Sequence, residues 1–170
     1  VRNFQGLIWR VLLGSVGTLL LLAPMAMGGN SLRRLHLLVK DQATDGVYWC
    51  MGVEEGEEVA LEFVHSYERF PVREEYSIEG PKRIRLVRIV SRSMLNGQGF
   101  WSGKLELRAG GWAEIGAWKT LLERIEFIMG RPDLANHRLI VKGKTFSLSS
   151  KIVPGTQVAV EVQEGECKEE

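Results

Sequence analysis

Charge of one sign, cysteine and catalytic signatures are all scarce in these 170 residues, and each scarcity removes a class of function. Basic residues number 22 against 21 acidic, a formal net charge of +1, so no global field draws the chain to nucleic acid. No Lys/Arg-dense stripe interleaved with aromatics runs along it either. The two cysteines, Cys50 and Cys167, form no CxxC, which removes the common redox and zinc-ribbon spacings. HExxH and GxSxG are missing, and with them the helical zinc-protease face and the nucleophile elbow. No period of roughly 20–50 residues repeats, so a solenoid or propeller is not expected.

What is present begins with the N-terminus. Arg2 and Arg10 precede a charge-free run over residues 11–27. As a helix it reaches roughly 26 Å, close to a bilayer core of about 30 Å. Residues 1–30 therefore read as a membrane anchor. A signal segment cut near Gly28, after the helix-breaking Pro24 and the small Ala26, is the alternative. Either reading puts the rest of the chain outside the cytoplasm, held at the cell membrane facing the periplasm or cell exterior, or secreted. A disulfide is allowed in that setting. Cys50, however, sits in an apolar run and Cys167 in the acidic tail 164–170, so a buried free thiol and a mobile tail thiol are the simpler expectation.

Residues 31–163 read as one β domain. The runs 35–40 and 47–51 flank Asp45-Gly46, a hairpin signal. Across 59–65 the residues Val59, Leu61, Phe63 and His65 share one face while Glu62 takes the other. Pro71 interrupts, an extended pattern resumes over 74–78, and 84–90 follows the turn Gly80-Pro81. Residues 104–108 alternate around Leu105 and Leu107 and stop at Gly110-Gly111. The stretch 118–129 is ambiguous: Trp118, Leu121, Leu122, Ile125 and Met129 fit a helical stripe, while 125–128 fits a strand. The expectation there is a short helix or loop followed by a strand. Lys142-Gly143-Lys144 separates the runs 137–141 and 145–148, and 157–162 closes the domain. Eight or nine short strands predict a mostly β fold, a sandwich or partly open barrel, behind one N-terminal hydrophobic helix.

Six polar residues draw attention: His65, Ser66, Glu68, Glu74, His137 and Arg138. His65 and Ser66 end a strand, where side chains can leave the core for a rim. A small-ligand or metal-binding module would gather His65, Glu68, Glu74 and His137, since imidazole and carboxylate suit zinc. Yet HxxE on an extended segment fixes no common ligand face. A serine hydrolase would pair Ser66 with His137. The plainer alternative is a structural network, with both imidazoles bonding neighbouring strands and Glu68 or Glu74 paired with Arg69, Arg73 or Arg138. It would hold the Pro71 turn against the late hairpin. No metal or cofactor is expected. Phe100, Trp101, Trp112 and Trp118 are core residues or a contact surface. Lys82, Arg83, Arg85, Arg88 and Arg92 are a solvated strand face or a patch for anionic lipid or an acidic partner.

Two stretches carry a likeness. The first is His65-Ser66-Tyr67-Glu68-Arg69-Phe70-Pro71-Val72-Arg73-Glu74, of the form HSxExxPVxE. The second is Asn136-His137-Arg138-Leu139, followed by Gly143 and Pro154-Gly155-Thr156-Gln157-Val158. Together they resemble the uncharacterised bacterial domain-of-unknown-function family numbered eighteen-fifty. Between them the chain departs, with residues 93–100 standing where the family shows a Gly-rich, Pro-ended stretch. The resemblance implies a short protein with a hydrophobic start, often encoded beside a TAXI-type TRAP transporter. That context implies a non-enzymatic accessory protein of such a transport system, with transporter subunits as partners. The family supplies no activity.

Overall fold

The computed structural model describes residues 34–92, 104–116 and 121–167. The apolar run 11–27, with its anchor and signal readings, lies outside them, as do Phe100, Trp101 and Trp118. Twelve strands form among the described residues: β1 (Leu35–Asp41), β2 (Val47–Val53), β3 (Glu58–Val64), β4 (Pro71–Gly80), β5 (Arg83–Ser91), β6 (Lys104–Arg108), β7 (Trp112–Gly116), β8 (Leu121–Leu122), β9 (Arg124–Ile128), β10 (Arg138–Val141), β11 (Lys144–Ser147) and β12 (Gln157–Glu164). Among these residues, no helix is long and apolar enough to cross a membrane.

Turn chemistry explains the hairpins. Between β1 and β2, Asp45 takes φ +61° and Asp41 Oδ1 accepts from the Ala43 and Thr44 amides, the local bonding that makes Asp a turn former. Lys142 and Gly143 alone join β10 to β11, both at positive φ. That is the mirror-image two-residue turn whose twist suits a hairpin.

All pairings are antiparallel and build two sheets. The smaller runs β2-β1-β12-β9; the larger runs β11-β10-β3-β4-β5-β7-β6, with β8 added against β5. Neither closes into a barrel. One hydrophobic core draws on both: Leu37, Val39, Val160 and Val162 from the smaller sheet, Leu61, Ile78, Ile84, Ile89 and Leu139 from the larger. Each such side chain contributes about 1.5–3 kcal/mol on burial.

Several sequence expectations need correction. Pro71 opens β4 instead of interrupting it, because the first residue of a strand can do without an N–H donor. β7 was not expected. Leu121 and Leu122 pair with Arg85 and Ile84, and residues 124–128 pair with β12, so strand partners on two sheets override the helical stripe. β5 forms over the expected run but carries a bulge. Leu86 faces Tyr76 and Arg88 faces Glu75, leaving Val87 as an extra, half-exposed residue. This bulge shifts the alternation by one. It puts Arg85 and Arg88 on the same outer face while Ile84, Leu86 and Ile89 stay in the core.

The cysteine expectation is overturned. Cys50 and Cys167 form a disulfide with Cα atoms 5.7 Å apart. The topology brings them together: β1 lies between β2 and β12, and the Gly165 amide donates to the Arg34 carbonyl. The chain beyond β12 is thus carried back across the end of β1 to Cys50. Sequence neighbourhood could not reveal this, because the two residues are 117 apart.

Candidate functional site

The HSxExxPVxE stretch forms the turn between β3 and β4, over residues 65–70, and the first residues of β4. His65 accepts at its carbonyl from the Arg69 amide and donates its own amide to the Phe70 carbonyl, both at 2.8 Å. Its Nδ1 accepts from the Glu68 amide at 3.2 Å, and its ring stacks on Phe70 with centroids 5.0 Å apart. His65 therefore serves to close the turn. Arg69 sits at φ +60° and sends its guanidinium across to the loop before β10. There Nη1 donates to the Leu134 carbonyl and Nη2 to the Asp133 carbonyl, each at 2.8 Å. The Val64 amide adds a bond to the Ala135 carbonyl. The turn thus meets the loop before β10 through Arg69 and backbone, and not through the imidazoles.

His137 opens the late hairpin from inside the core. It is 6% exposed and lies between Phe63 and Phe127, with ring centroids 5.4 and 4.9 Å away. Nδ1 accepts from the Gly130 amide at a long 3.4 Å. Burial lowers its pKa to about 4, so the imidazole is neutral at physiological pH. Gly130 is required here, since a Cβ would collide with Ala135 and crowd His137.

Glu74 also faces inward, on the side of β4 that carries Val72 and Tyr76. Burial pushes its carboxyl up, and the Tyr76 hydroxyl donates to it at 2.6 Å. The Tyr76 phenol is held well above its ordinary range, first by burial and then by that neighbouring carboxylate. Ser66 is exposed, and no imidazole hydrogen-bonds to it. Arg138 points the other way from His137, onto the outer face of the larger sheet.

The six expected residues are thus distributed over a turn, the core and an outer face. Among the described residues, no group of three or more His, Cys, Asp or Glu side chains is placed to hold a metal ion. The expected carboxylate partners also differ: Arg69 binds carbonyls, Arg73 binds Glu62 and Glu75, and Arg138 binds Glu62.

Those last pairs belong to a feature that residue-by-residue reading missed. Across the outer face of the larger sheet runs an alternating ladder: Arg138–Glu62 at 2.9 Å, Glu62–Arg73 at 2.7 Å, Arg73–Glu75 at 2.8 Å, then Glu75–Arg88. It continues as Arg88–Glu114 at 3.4 Å, Glu114–Arg108 at 3.1 Å, Arg108–Glu106 at 2.9 Å and Glu106–Lys104 at 3.0 Å. Register creates it: Arg138 faces Glu62, Glu62 faces Arg73, and Glu75 faces Arg88. The bulge at Val87 is what admits Arg88. Burial alone would raise the Glu75 carboxyl, but Arg88 and Arg73 hold it below the ordinary range. Exposed cross-strand pairs are worth about 0.2–1 kcal/mol each, so the ladder fixes register more than it adds stability. Charges spaced two apart, as in Arg73/Glu75 and Lys104/Glu106/Arg108, were its only sequence trace. Arg85 is likewise paired, with Glu79 at 2.9 Å.

The end of the molecule holding the Arg69 bridge also gathers other loops. β3 finishes and β4 starts there; β9 finishes, β10 and β12 start, and β1 turns into β2. These loops expose large apolar side chains: Tyr67 is 89% exposed, Val153 68%, Ile128 65% and Leu134 41%. β1 begins at the opposite end, beside Val53 and Glu164.

A family model described as Domain of unknown function (DUF1850) matches residues 59–148. The match takes in every strand of the larger sheet and both partners of the Arg69 bridge, and it leaves out β1, β2, β12 and the disulfide. No curated protein and no solved structure matches the chain.

Proposed function

The chain belongs to the family described as Domain of unknown function (DUF1850), and from that premise we propose that it is a non-enzymatic accessory protein of a TAXI-type TRAP transport system. In this reading it acts outside the cytoplasm, at the membrane, by binding a transporter subunit. The observation that carries the reading is the loop end. Tyr67 projects from a turn whose backbone is fixed by His65 and whose neighbour is clamped by Arg69. A rigid, exposed aromatic is the kind of group that anchors a protein interface, because little conformational entropy is lost when it docks. Val153, Ile128 and Leu134 give the same end further apolar surface, and exposed apolar patches mark interaction sites. β1 starts at the other end, so a partner on these loops does not compete with the point where the chain enters the sheet. The Cys50–Cys167 bond supports an oxidising compartment, and two facing antiparallel sheets make the sandwich form the natural description of the scaffold.

The test is affinity capture from native membranes, comparing the full chain with Tyr67→Ala and Leu134→Asp variants. A transporter subunit should be recovered with the unaltered chain and be depleted at least tenfold with either variant. If it is recovered equally with all three, the loop end is not the contact. If none is recovered with the unaltered chain, the transporter reading fails. A reporter active only outside the cytoplasm, fused after Glu170, checks the compartment separately.

A further inference from the structure

Beside the loop contacts, the outer face of the larger sheet holds a cleft of about 300 Å³ where β10, β3, β4, β5 and β7 pass one another. Two kinds of surface line it. Val64, Pro71, Val90 and Trp112 are apolar, and Arg73 and Arg138 bring guanidiniums to the same cleft. The ladder sets the local charge. Glu62 is the carboxylate in the lining, and its two oxygens are engaged by those same arginines, 2.7 Å from Arg73 Nη1 and 2.9 Å from Arg138 Nη2. Arg73 is shared between Glu62 and Glu75, but along the whole ladder five cations alternate with four carboxylates, so one positive charge is in surplus, and Arg138 stands at the end beside the cleft. Arg92 adds to it from above the Trp112 ring, 5.9 Å from the centroid. Arg138 reaches Glu62 through Nη2, which leaves one edge of its guanidinium open to a second, planar carboxylate. Both arginines are reachable, at 39% and 49% exposure.

We propose that this cleft binds a small carboxylate with an apolar tail, the open edge of the Arg138 guanidinium taking the carboxylate and Trp112, Val90 and Val64 taking the tail. A purely polar anion would leave the apolar lining wet, and an uncharged ligand would leave the open edge of Arg138 unused. A cleft of this size is at the small end of ligand sites, which fits one ring or a short chain. The site adjoins the loop end at Val64, Pro71 and Asn136 but does not use Tyr67 or Leu134, so it holds whether or not those side chains contact a transporter subunit.

The probes are phenylacetate and hexanoate, with acetate as the tail-less control and phenethylamine as the opposite charge. They are titrated into the full chain at low salt and followed by calorimetry and by chemical shifts of the Val64, Val90 and Arg138 amides. Both acids should saturate in the millimolar range or tighter. Acetate should be at least tenfold weaker, and the amine should shift none of these signals. Arg138→Gln and Trp112→Leu, each verified as folded by its thermal midpoint, should weaken phenylacetate at least fivefold. The probe comparison on the unaltered chain decides the matter even where a variant fails to fold. Equal binding of acid and amine, equal binding of hexanoate and acetate, the absence of saturable binding, or undiminished binding by folded Arg138→Gln would each overturn the proposal.

Discussion

Replacing His137 by phenylalanine keeps a ring between Phe63 and Phe127 and removes the titrating member of that stack. The bond lost, from the Gly130 amide to Nδ1, is long at 3.4 Å, so at pH 7 the exchange should change stability by no more than about 1 kcal/mol. Acid changes the balance. The folded imidazole has its pKa lowered by burial to about 4, against an ordinary value of 6.5. A base depressed in this way binds more protons when the chain unfolds. Its contribution is complete above about pH 6.5 and is lost as pH falls toward 4. At 1.36 kcal/mol per pH unit, the loss approaches about 3 kcal/mol over the whole window and about 2 kcal/mol between pH 7 and 4.5. Glu74 works with the opposite sign, because its raised carboxyl pKa lets the folded chain take up a proton earlier as pH falls. The difference between the unaltered chain and His137→Phe cancels that effect. Urea unfolding followed by tryptophan fluorescence at pH 7.0 and 4.5 should therefore show the variant gaining about 2 kcal/mol relative to the unaltered chain at the lower pH. A gap that stays constant within about 0.5 kcal/mol would refute the claim that His137 is buried and neutral.

The Cys50–Cys167 bond closes a loop with a sequence separation of 117, and chain entropy at such lengths gives about 2–5 kcal/mol. Cys167→Ser or added reductant should accordingly lower the thermal midpoint, and a midpoint indifferent to reductant would contradict the bond. Gly130→Ala forces a Cβ into Ala135 and should cost about 1–3 kcal/mol by overpacking; a neutral result would mean the loop before β10 yields easily. Arg69→Ala removes two bonds to carbonyls at an exposed position, a loss of about 1 kcal/mol. It should show chiefly as faster hydrogen exchange at the Val64 and Ala135 amides, whereas unchanged exchange there would mean that Arg69 does not hold the two loops together.

The hairpins were legible because their signals are local: Asp45 and Gly143 are residue types that tolerate the positive φ they take in the Asp45-Gly46 and Lys142-Gly143 turns. Clean alternation in Val59, Leu61 and Phe63 likewise placed β3. Features that depend on which strand lies beside which were not legible. The disulfide needs β1 between β2 and β12, and the ion-pair ladder needs the register of six strands together with a bulge at Val87. Candidate-site reading erred in a similar way. His137 and Glu74 were grouped with His65 and Glu68 as candidate ligands because they are polar, yet both face inward, one between two phenylalanine rings and one against Tyr76. Arg69 was considered only as a carboxylate partner, and the carbonyls it binds, at Asp133 and Leu134, lie 64 and 65 residues on.

The central claim is that the loop end around Tyr67 is a binding surface for a transporter subunit. Its most direct test is a titration of the purified full chain against the purified extracytoplasmic binding protein of a TAXI-type TRAP system from the same genome. The account predicts saturable one-to-one binding that weakens at least tenfold with Tyr67→Ala, a variant whose 89% exposed side chain can be removed without touching the core. Heat or signal indistinguishable from buffer, or binding that Tyr67→Ala leaves unchanged, would contradict it.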